Sequence, residues 1–316
     1  MLTLEPTADL KAWWPRVRER LLAQRIEGGQ RRDDAMAQVG GLLGDVFVDG
    51  QLAAPHRIWR VVPSDHDQQS GWVWLRHAGG EAVATLVAVD PGGVDHGELV
   101  DLVVSRLRGD GATSLRTSRW AGDAATAAFT VDRAVDVAGV RMVLDLAHDQ
   151  QPAPEQRPSS VVLLVPMTRQ QFDAYRARGV QHYADELVKA GVVTDPAAAV
   201  AASTQQHEAL LPDGRETEGH WLWSAVVDEV EVGILWLTLN GVGRPADQAF
   251  IYDIEVLPDH RRRGHGEAIL HAAADAARDR GAAVLALHVF GTNDGARRLY
   301  ERQGFVTTEE MITIAL

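Results

Sequence analysis

Two glycines and three arginines lie close together in the run Pro258-Asp259-His260-Arg261-Arg262-Arg263-Gly264-His265-Gly266. The preceding residues 249–256 are aromatic and β-branched, which predicts a strand. The following residues 267–280 are rich in alanine and end before a glycine, which predicts a helix. Because glycines let backbone N–H groups converge at a helix N-terminus, the turn is suited to bind phosphate, and the arginines add positive charge. The glycine spacing is shorter than in the dinucleotide fingerprint, so another pyrophosphate-bearing ligand is favoured.

A second motif follows the predicted strand 283–290 and reads Asn293-Asp294-Gly295-Ala296-Arg297-Arg298-Leu299-Tyr300-Glu301-Arg302-Gln303-Gly304-Phe305. This pattern predicts a short helix that is closed by a glycine at its C′ position. In this order and at this spacing, the two motifs resemble the Gcn5-related N-acetyltransferase (GNAT) superfamily. The resemblance is specific over about residues 249–316 and implies transfer of an acetyl group from the co-substrate acetyl-CoA to an amine.

The composition narrows the class of protein. A length of 316 residues favours two domains, and 46% hydrophobic residues are enough to form buried cores. The net charge of −13 argues against nucleic acid as a partner. No apolar run is long enough to span a membrane, and the N-terminus does not resemble a secretion signal, so we expect a cytoplasmic protein. The absence of cysteine excludes disulfides and a cysteine nucleophile.

A linker near the middle divides the chain. Residues 150–160 contain three prolines and no large apolar residue, which predicts an extended segment. We therefore predict a domain at 1–149, a linker at 150–160 and a second domain at 161–316. The resemblance implies an α/β (α+β) fold, with two tandem GNAT domains that each have a mixed, mostly antiparallel central sheet flanked by helices. The second half is also similar to single-domain bacterial N-acetyltransferases.

The two halves share a pattern that indicates a tandem duplication. Residues 85–89 are matched with residues 252–256, and the helix 98–108 is matched with 267–280. The first half differs where the chemistry is expected: its turn is Gly92-Gly93-Val94-Asp95-His96-Gly97, and it has Thr130 and Asp123 in place of Tyr300 and Asn293. Because a carboxylate repels a pyrophosphate, we predict that the first copy is degenerate and has lost cofactor binding.

The resemblance assigns cofactor contacts in the second half. The strand before the turn is expected to splay from its neighbour, and its free backbone groups are expected to bind the pantetheine arm and the thioester carbonyl. The pyrophosphate is expected to lie on the backbone amides of the turn, with Arg261 or Arg263 adding charge. The predicted cofactor-binding residues are Ile254, Glu255, Val256, Arg261, Arg262, Arg263, Gly264, His265, Gly266, Glu267 and Asn293.

Tyr300 and His288 are the predicted catalytic residues. Tyr300 occupies the position at which relatives keep a tyrosine near the cofactor sulfur, and a phenol can protonate a departing thiolate. The alternative is a tyrosine packed in the core against Leu299. His288 is the predicted base, with a titration expected between about pH 6 and 7.5; the alternative is a histidine satisfied within the sheet. Asp253 and Glu255 are the other candidate bases.

The acceptor pocket is expected to form from early elements of the second domain. Two predicted helices, at residues 171–190 and 196–211, precede its core strands. Asp253 is suited to hold a cationic amine, and tryptophans are suited to line the pocket, although buried tryptophans are more often packing residues. The predicted substrate-binding residues are Asp253, Tyr252, Trp221 and Trp236. The histidines show no metal-ligand spacing, so we expect no metal site.

The resulting prediction is an N-acetyltransferase that moves an acetyl group from acetyl-CoA to a primary amine of a small molecule. We expect direct attack in a ternary complex and a monomer or homodimer. Two alternatives stay open at this point. One is a protein or peptide N-acetyltransferase, and the other is a non-catalytic sensor that binds acyl-CoA.

Overall fold

The computed structural model describes residues 2–7, 10–48, 51–63, 71–78, 80–147, 161–189, 192–239 and 247–316. The chain divides into two compact units. The first contains Met1–Val140 together with Thr307–Leu316, and the second contains Arg141–Val306. Residues 150–160 lie outside the described residues, so the predicted linker and the division into 1–149 and 161–316 stay predictions.

The first unit begins with a strand and two helices, which precede its central strands. Its elements are β1 (Leu2–Pro6), α1 (Leu10–Glu27), α2 (Arg32–Val46), β2 (Phe47–Val48), β3 (Gln51–Leu52), β4 (His56–Pro63), β5 (Gly71–Arg76), β6 (Val83–Asp90), α3 (His96–Gly109), β7 (Ser114–Trp120), α4 (Ala124–Ala127) and β8 (Val135–Asp145).

The second half of the chain repeats the same order, apart from the short hairpin formed by β2 and β3. Its elements are β9 (Leu163–Pro166), α5 (Arg169–Lys189), α6 (Pro196–Leu210), β10 (His220–Val227), β11 (Val230–Leu239), β12 (Gln248–Val256), α7 (His265–Asp279), β13 (Val284–Phe290), α8 (Asp294–Arg302) and β14 (Val306–Ala315). The repeated order confirms the tandem arrangement, and the helices predicted at 171–190, 196–211 and 267–280 are found within two residues of their expected bounds.

Each unit has a mixed, mostly antiparallel sheet. The order in the first unit is β1-β4-β5-β6-β7-β14, and the order in the second is β13-β12-β11-β10-β9. The parallel pairs are β6 with β7 and β12 with β13. Two strands do not follow the division at the linker: nearly all of β14 belongs to the first unit, while residues 141–145 of β8 belong to the second. Within the part of the chain that the structure describes, no helix has the length and apolar character needed to cross a bilayer.

The match between the two middle strands is shifted from the sequence prediction. Trp74 lies opposite Ala88, and Trp236 lies opposite Asp253 in the corresponding strand pair. The segment Val83–Asp90 therefore corresponds to Gln248–Glu255, so the predicted match of 85–89 with 252–256 is wrong by two residues. Because side chains alternate between the two faces with a period of two, a shift of two residues keeps each side chain on the same face. The alternation of apolar residues along the strand therefore fits both matches equally well.

The two faces of the second sheet have different partners. A Cβ added at Gly233 would lie 2.7 Å from Ile269 Cδ1 of α7, so α7 covers this face closely. The neighbouring side chains point to the opposite face. There Ile234 and Trp236 join a buried cluster with Phe172 and Tyr175 of α5. This second face carries the site described next.

Candidate active site

Strands β12 and β13 separate in the middle of the second unit. They are paired in parallel from Gln248 to Ile251, and the described register ends there. Trp236 lies opposite Asp253 while Leu237 lies opposite Ile251, so Tyr252 is an extra residue that forms a β-bulge. Beyond the bulge, β12 stays paired with β11, whereas its other edge has left the register with β13. The splayed strand implied by the family resemblance is therefore present.

A cavity of about 380 Å³ opens at this separation. Its walls come from α5, α6, the ends of β12 and β13, and α8. The lining residues are Tyr175, Gly179, His182, Tyr183, Gln206, His207, Leu210, Trp236, Phe250, Ile251, Tyr252, Asp253, Ile254, Leu287, His288, Val289, Phe290, Asn293 and Tyr300. The cavity therefore brings together both predicted catalytic residues and most of the predicted substrate-binding residues.

Asp253 is the carboxylate that lines this cavity at the bulge. The phenol of Tyr175 donates a hydrogen bond to Asp253 Oδ2 at 3.0 Å. Burial of the carboxyl group raises the pKa of Asp253 to about 6, with the Glu255 carboxylate adding to the rise. The hydrogen bond from Tyr175 and the nearby His182 act in the opposite direction. A carboxylate that titrates near neutrality is well suited to accept a proton.

Tyr300 faces the cavity from α8 and is 7% exposed. Burial raises the pKa of its phenol well above the ordinary value, and the Asp253 carboxylate adds to this shift. The phenol therefore keeps its proton at neutral pH and is in the form that can give a proton, and its raised pKa makes it a weaker acid than an ordinary phenol. The helix ends as predicted: Gly304 has a φ of 85°, and the N–H of Phe305 donates to the Tyr300 carbonyl at 3.0 Å.

His288 also lies on the cavity wall, with its ring 5.8 Å from that of Phe290. Desolvation by the surrounding protein and then the Arg141 guanidinium lower the pKa of His288 to about 4. The imidazole is neutral at pH 7 but is a weaker base than expected. The lowered pKa does not favour the titration expected between pH 6 and 7.5, and Asp253 has the pKa closer to neutrality.

The aromatic wall of the cavity is built from stacked rings. Trp236 and Tyr252 stack with centroids 4.7 Å apart, and His220 stacks on Tyr252 at 5.8 Å. The indole Nε1 of Trp236 donates to His220 Nδ1 at 3.0 Å, so its polar atom has a partner. Trp236 is 3% exposed, so it mainly supports the half-buried Tyr252 ring beside the Asp253 carboxylate.

Trp221 takes another position and does not line this cavity, unlike the other predicted substrate-binding residues. The described residues that line the cavity do not include it. Its ring stacks against Trp223 at 6.3 Å, and the Arg280 guanidinium lies 4.5 Å from its centroid. Trp221 and Trp223 share one face of β10, whereas His220, which contacts Trp236, points to the opposite face.

The glycine turn lies beyond the cavity, at the N-terminus of α7. Gly264 is the N-cap with a φ of 83°, and no side chain of the described residues caps the helix there. A Cβ at Gly264 would meet no described atom within 4 Å, whereas a Cβ at Gly266 would lie 3.2 Å from Leu299 Cδ2. The first amides of α7 therefore face open space, which fits a phosphate group.

The arginines of the turn have different surroundings. Arg261 Nε donates to the Val256 carbonyl at 2.9 Å, and its guanidinium lies 3.6 Å from the Glu255 carboxylate. Arg262 and Arg263 are exposed, and Arg262 has a φ of 60°. The positive charge available to a ligand therefore comes mainly from Arg262 and Arg263, because Arg261 is turned toward the strand.

The corresponding positions of the first unit are occupied by its own side chains. Asp95 caps α3 by accepting from the Glu98 N–H at 3.0 Å, where the second unit has Gly264. Arg20 of α1 donates to the Val89 carbonyl at 3.1 Å and forms an ion pair with Asp123 at 2.6 Å. Val89 belongs to the strand that corresponds to β12. A carboxylate and a guanidinium thus fill the places that are open in the second unit.

Comparison with known proteins identifies the family. Residues 183–305 match the acetyltransferase (GNAT) family. The uncharacterized N-acetyltransferase YycN of Bacillus subtilis (strain 168) is 39% identical over 153 residues, which cover 48% of this chain and 97% of YycN. The chain belongs to the GNAT family. A second relative, the uncharacterized N-acetyltransferase YdgE of the same organism, is 34% identical over 143 residues, which cover 45% of this chain and 90% of YdgE.

The GNAT fold extends over the whole chain. The structure of a GCN5-related N-acetyltransferase from Sphaerobacter thermophilus aligns with a TM-score of 0.55 and 15% identity. The alignment covers 99% of this chain and 94% of that protein. At this level of identity the likeness concerns the fold alone.

Several cavity residues of this GNAT chain were not predicted as site residues. Tyr175, His182 and His207 come from α5 and α6, which the sequence placed at the pocket without naming side chains. Tyr175 follows Phe172 by three residues, so its spacing is that of an apolar helix face. A hydroxyl directed at a carboxylate on a distant strand leaves no signal in such a pattern.

Proposed function

We propose that the second unit transfers an acetyl group from acetyl-CoA to a primary amine of a small molecule bound in the 380 Å³ cavity. The observation that carries this proposal is the common position of Asp253 and Tyr300. One group titrates at about pH 6 and the other keeps its proton, and both face the cavity where β12 and β13 separate. A base and an acid in one cavity are what amine acetylation requires.

The splayed strand and the glycine turn support acetyl-CoA as the donor. The part of β12 that has left the register with β13, with Ile254, Glu255 and Val256, is suited to bind the pantetheine arm. The uncapped amides that follow Gly264 are suited to bind the pyrophosphate, with Arg262 and Arg263 nearby. Asn293 caps α8 by accepting from the Ala296 N–H at 3.1 Å and lines the cavity next to Tyr300.

The proposed reaction is a direct attack in a ternary complex. The neutral amine nitrogen attacks the thioester carbonyl, so that a C–N bond forms and the C–S bond breaks. Asp253 accepts the proton that leaves the nitrogen, directly or through water. The Tyr300 phenol gives a proton to the departing thiolate. Bringing both substrates together in one cavity adds the benefit of proximity.

Aromatic walls and a single buried carboxylate favour a small amine over a protein chain end. A protein or peptide acceptor is the alternative, and it would need an open groove. A non-catalytic acyl-CoA sensor is the other alternative, but it would need neither a base nor an acid in the cavity. A monomer or homodimer, with a small-molecule partner, stays our prediction.

An acceptor screen tests the function directly. Small primary amines and short peptides with free N-termini or lysines are incubated with the protein and acetyl-CoA, and CoA release is followed with a thiol reagent. Because the chain has no cysteine, the reagent reports CoA alone. Turnover with small amines is the expected result. Turnover with peptides only would favour the alternative enzyme, and no turnover with any acceptor would favour the sensor.

We predict one acetyl-CoA site per chain. The first unit has Asp95 at the helix N-terminus and the Arg20–Asp123 ion pair beside β6, so an anionic cofactor meets a carboxylate there. Calorimetric titration of the full chain with acetyl-CoA should therefore give a stoichiometry of one. Two equivalent sites would overturn this prediction.

We also predict that Tyr300→Phe slows turnover by roughly 10- to 1000-fold, because the proton donor is removed while the ring is kept. The Tyr300 ring packs 5.8 Å from Phe305, and the phenylalanine ring can keep this contact. Steady-state kinetics and acetyl-CoA binding are measured together, and the binding affinity should change little. An unchanged rate would make Tyr300 a packing residue.

A further inference from the structure

Tyr175 is a buried tyrosine of α5 that contacts the proposed base. Its side chain is 3% exposed, and its ring meets that of Trp236 edge to face, with centroids 6.5 Å apart. Phe172 belongs to the same buried cluster, so the ring is held by packing from its own helix and from the sheet. Its hydroxyl reaches Asp253 Oδ2 at 3.0 Å.

We infer that Tyr175 is a positioning residue, which fixes the orientation of the Asp253 carboxylate and stabilises its ionised form. The inference rests on the proposed function, in which Asp253 accepts the proton of the amine. Tyr175 touches neither reacting group in this role and acts through Asp253. A phenol that is locked by packing is an effective donor, because little side-chain freedom is lost when the hydrogen bond forms.

The backbone geometry supports this role. Asp253 follows the bulged Tyr252 and lies opposite Trp236 in the β11–β12 pair. Trp236 in turn contacts the Tyr175 ring. Asp253, Trp236 and Tyr175 are therefore neighbours of one another. The strand register positions the Asp253 carboxylate, and the contact with Trp236 positions the Tyr175 phenol. A bulge at this point is a common way to aim a side chain into a site.

The charged and polar groups around Asp253 determine how its pKa would respond if the Tyr175 phenol were removed. Glu255 on the same strand opposes ionisation of Asp253, while His182 on α5 and the Ile254 amide favour it. The Asp253 carboxylate in turn raises the pKa of Tyr300 on α8, which lines the same cavity. Burial and the Asp253 carboxylate raise the pKa of Tyr175 well above its ordinary value, so the phenol remains a donor at every working pH.

The test is a direct titration of the Asp253 carboxyl group. The protein is labelled with carbon-13 at the aspartate side chains, and the Asp253 signal is identified by its loss in Asp253→Asn. The loss of a hydrogen bond to a charged group shifts the pKa of that group by roughly one to two units. Tyr175→Phe should therefore raise the midpoint of the Asp253 titration by about that amount. The raised midpoint follows because the ionised form has lost its donor.

Tyr183→Phe is the matched control, because Tyr183 lies on the same helix and lines the same cavity, with its ring 5.9 Å from Phe290. The Asp253 midpoint should not move in this variant. An equal midpoint in Tyr175→Phe and the parent protein would overturn the inference. Equal shifts in both tyrosine variants would overturn it as well, since they would indicate a general change of the cavity.

An acceptor amine that is found in the screen adds a kinetic readout. In Tyr175→Phe the acidic limb of kcat/KM should move to higher pH, and the rate should recover at alkaline pH. If the limb survives in Asp253→Asn, the proposed role of Asp253 as base is wrong. The carboxyl titration would still decide whether Tyr175 controls the ionisation of Asp253, so the two failures can be told apart.

Discussion

Asp253→Asn should lower kcat/KM by roughly 100- to 10,000-fold at pH 8 and remove the limb near pH 6 from the pH profile. The amide cannot accept the proton of the amine, although it keeps the size of the side chain and can still accept from the Tyr175 phenol at the position of Oδ2. The pKa of Asp253, about 6, sets where the limb should lie in the parent protein. The measurement is the pH dependence of kcat/KM with the best acceptor from the screen.

His288→Gln provides the comparison, since both side chains line the same cavity. The pKa of His288 is lowered to about 4, so its loss should leave the limb near pH 6 in place. The reverse pattern, with the limb lost only in His288→Gln, would contradict the assignment and restore the histidine as base.

The same Asp253 variant should stabilise the fold at alkaline pH. Because the folded pKa is raised from 3.8 to about 6, the carboxyl group costs stability as pH rises from about 4 to about 6. The full effect above this window is at most about 3 kcal/mol. Asp253→Asn should therefore raise the melting temperature at pH 8 and have little effect at pH 4. A stabilising change that abolishes activity is typical of a functional group.

Gly264→Asp should weaken acetyl-CoA binding by roughly 100-fold or more, because it places a carboxylate at the N-cap position that Asp95 occupies in the first unit. A carboxylate at this N-cap would accept from the α7 amides and repel the pyrophosphate. Hydrogen bonds to a charged group contribute about 1.5–3 kcal/mol each, so the loss of even two explains an effect of this size. Calorimetry with acetyl-CoA measures the change.

Gly281→Asp is the matched control at the other end of the same helix. Gly281 has a φ of 82°, nearly the value at Gly264, and a Cβ there would also meet no described atom within 4 Å. The φ value and the added formal charge are therefore nearly the same in the two variants, although the charge at residue 281 lies at the opposite end of the helix dipole. Binding that falls equally in both would indicate a general loss of stability, and binding that survives in Gly264→Asp would remove the pyrophosphate from this turn.

The parts of the site that the sequence predicted are those that depend on local chemistry. The turn at Gly264 follows from glycine conformation and a helix start, and the helix end at Gly304 follows from its C′ position. The strand before the turn was predicted from its β-branched and aromatic residues. These signals lie within a few residues of one another, so no knowledge of distant contacts is needed.

The parts that the sequence missed depend on contacts between distant segments. Tyr175 and Asp253 are 78 residues apart, and only the packing of α5 on the sheet brings them together. The low pKa of His288 depends on Arg141, which comes from another strand. Trp221 was misplaced because the alternation of β10 fixes which face its side chain takes, and the sequence alone does not say which face meets α5.

The division of β8 and β14 between the two units bears on how a gene of this kind can evolve. After duplication, two independent copies can usually be separated, and an inactive copy can be deleted. Here residues 307–316 complete the first unit, while residues 141–147 belong to the second. A gene shortened to residues 161–316 would encode the second half without residues 141–147 and with a final strand that has no β7 beside it. Because each unit includes strand residues from the other half of the chain, the first copy has a structural reason to be kept even if it binds no ligand.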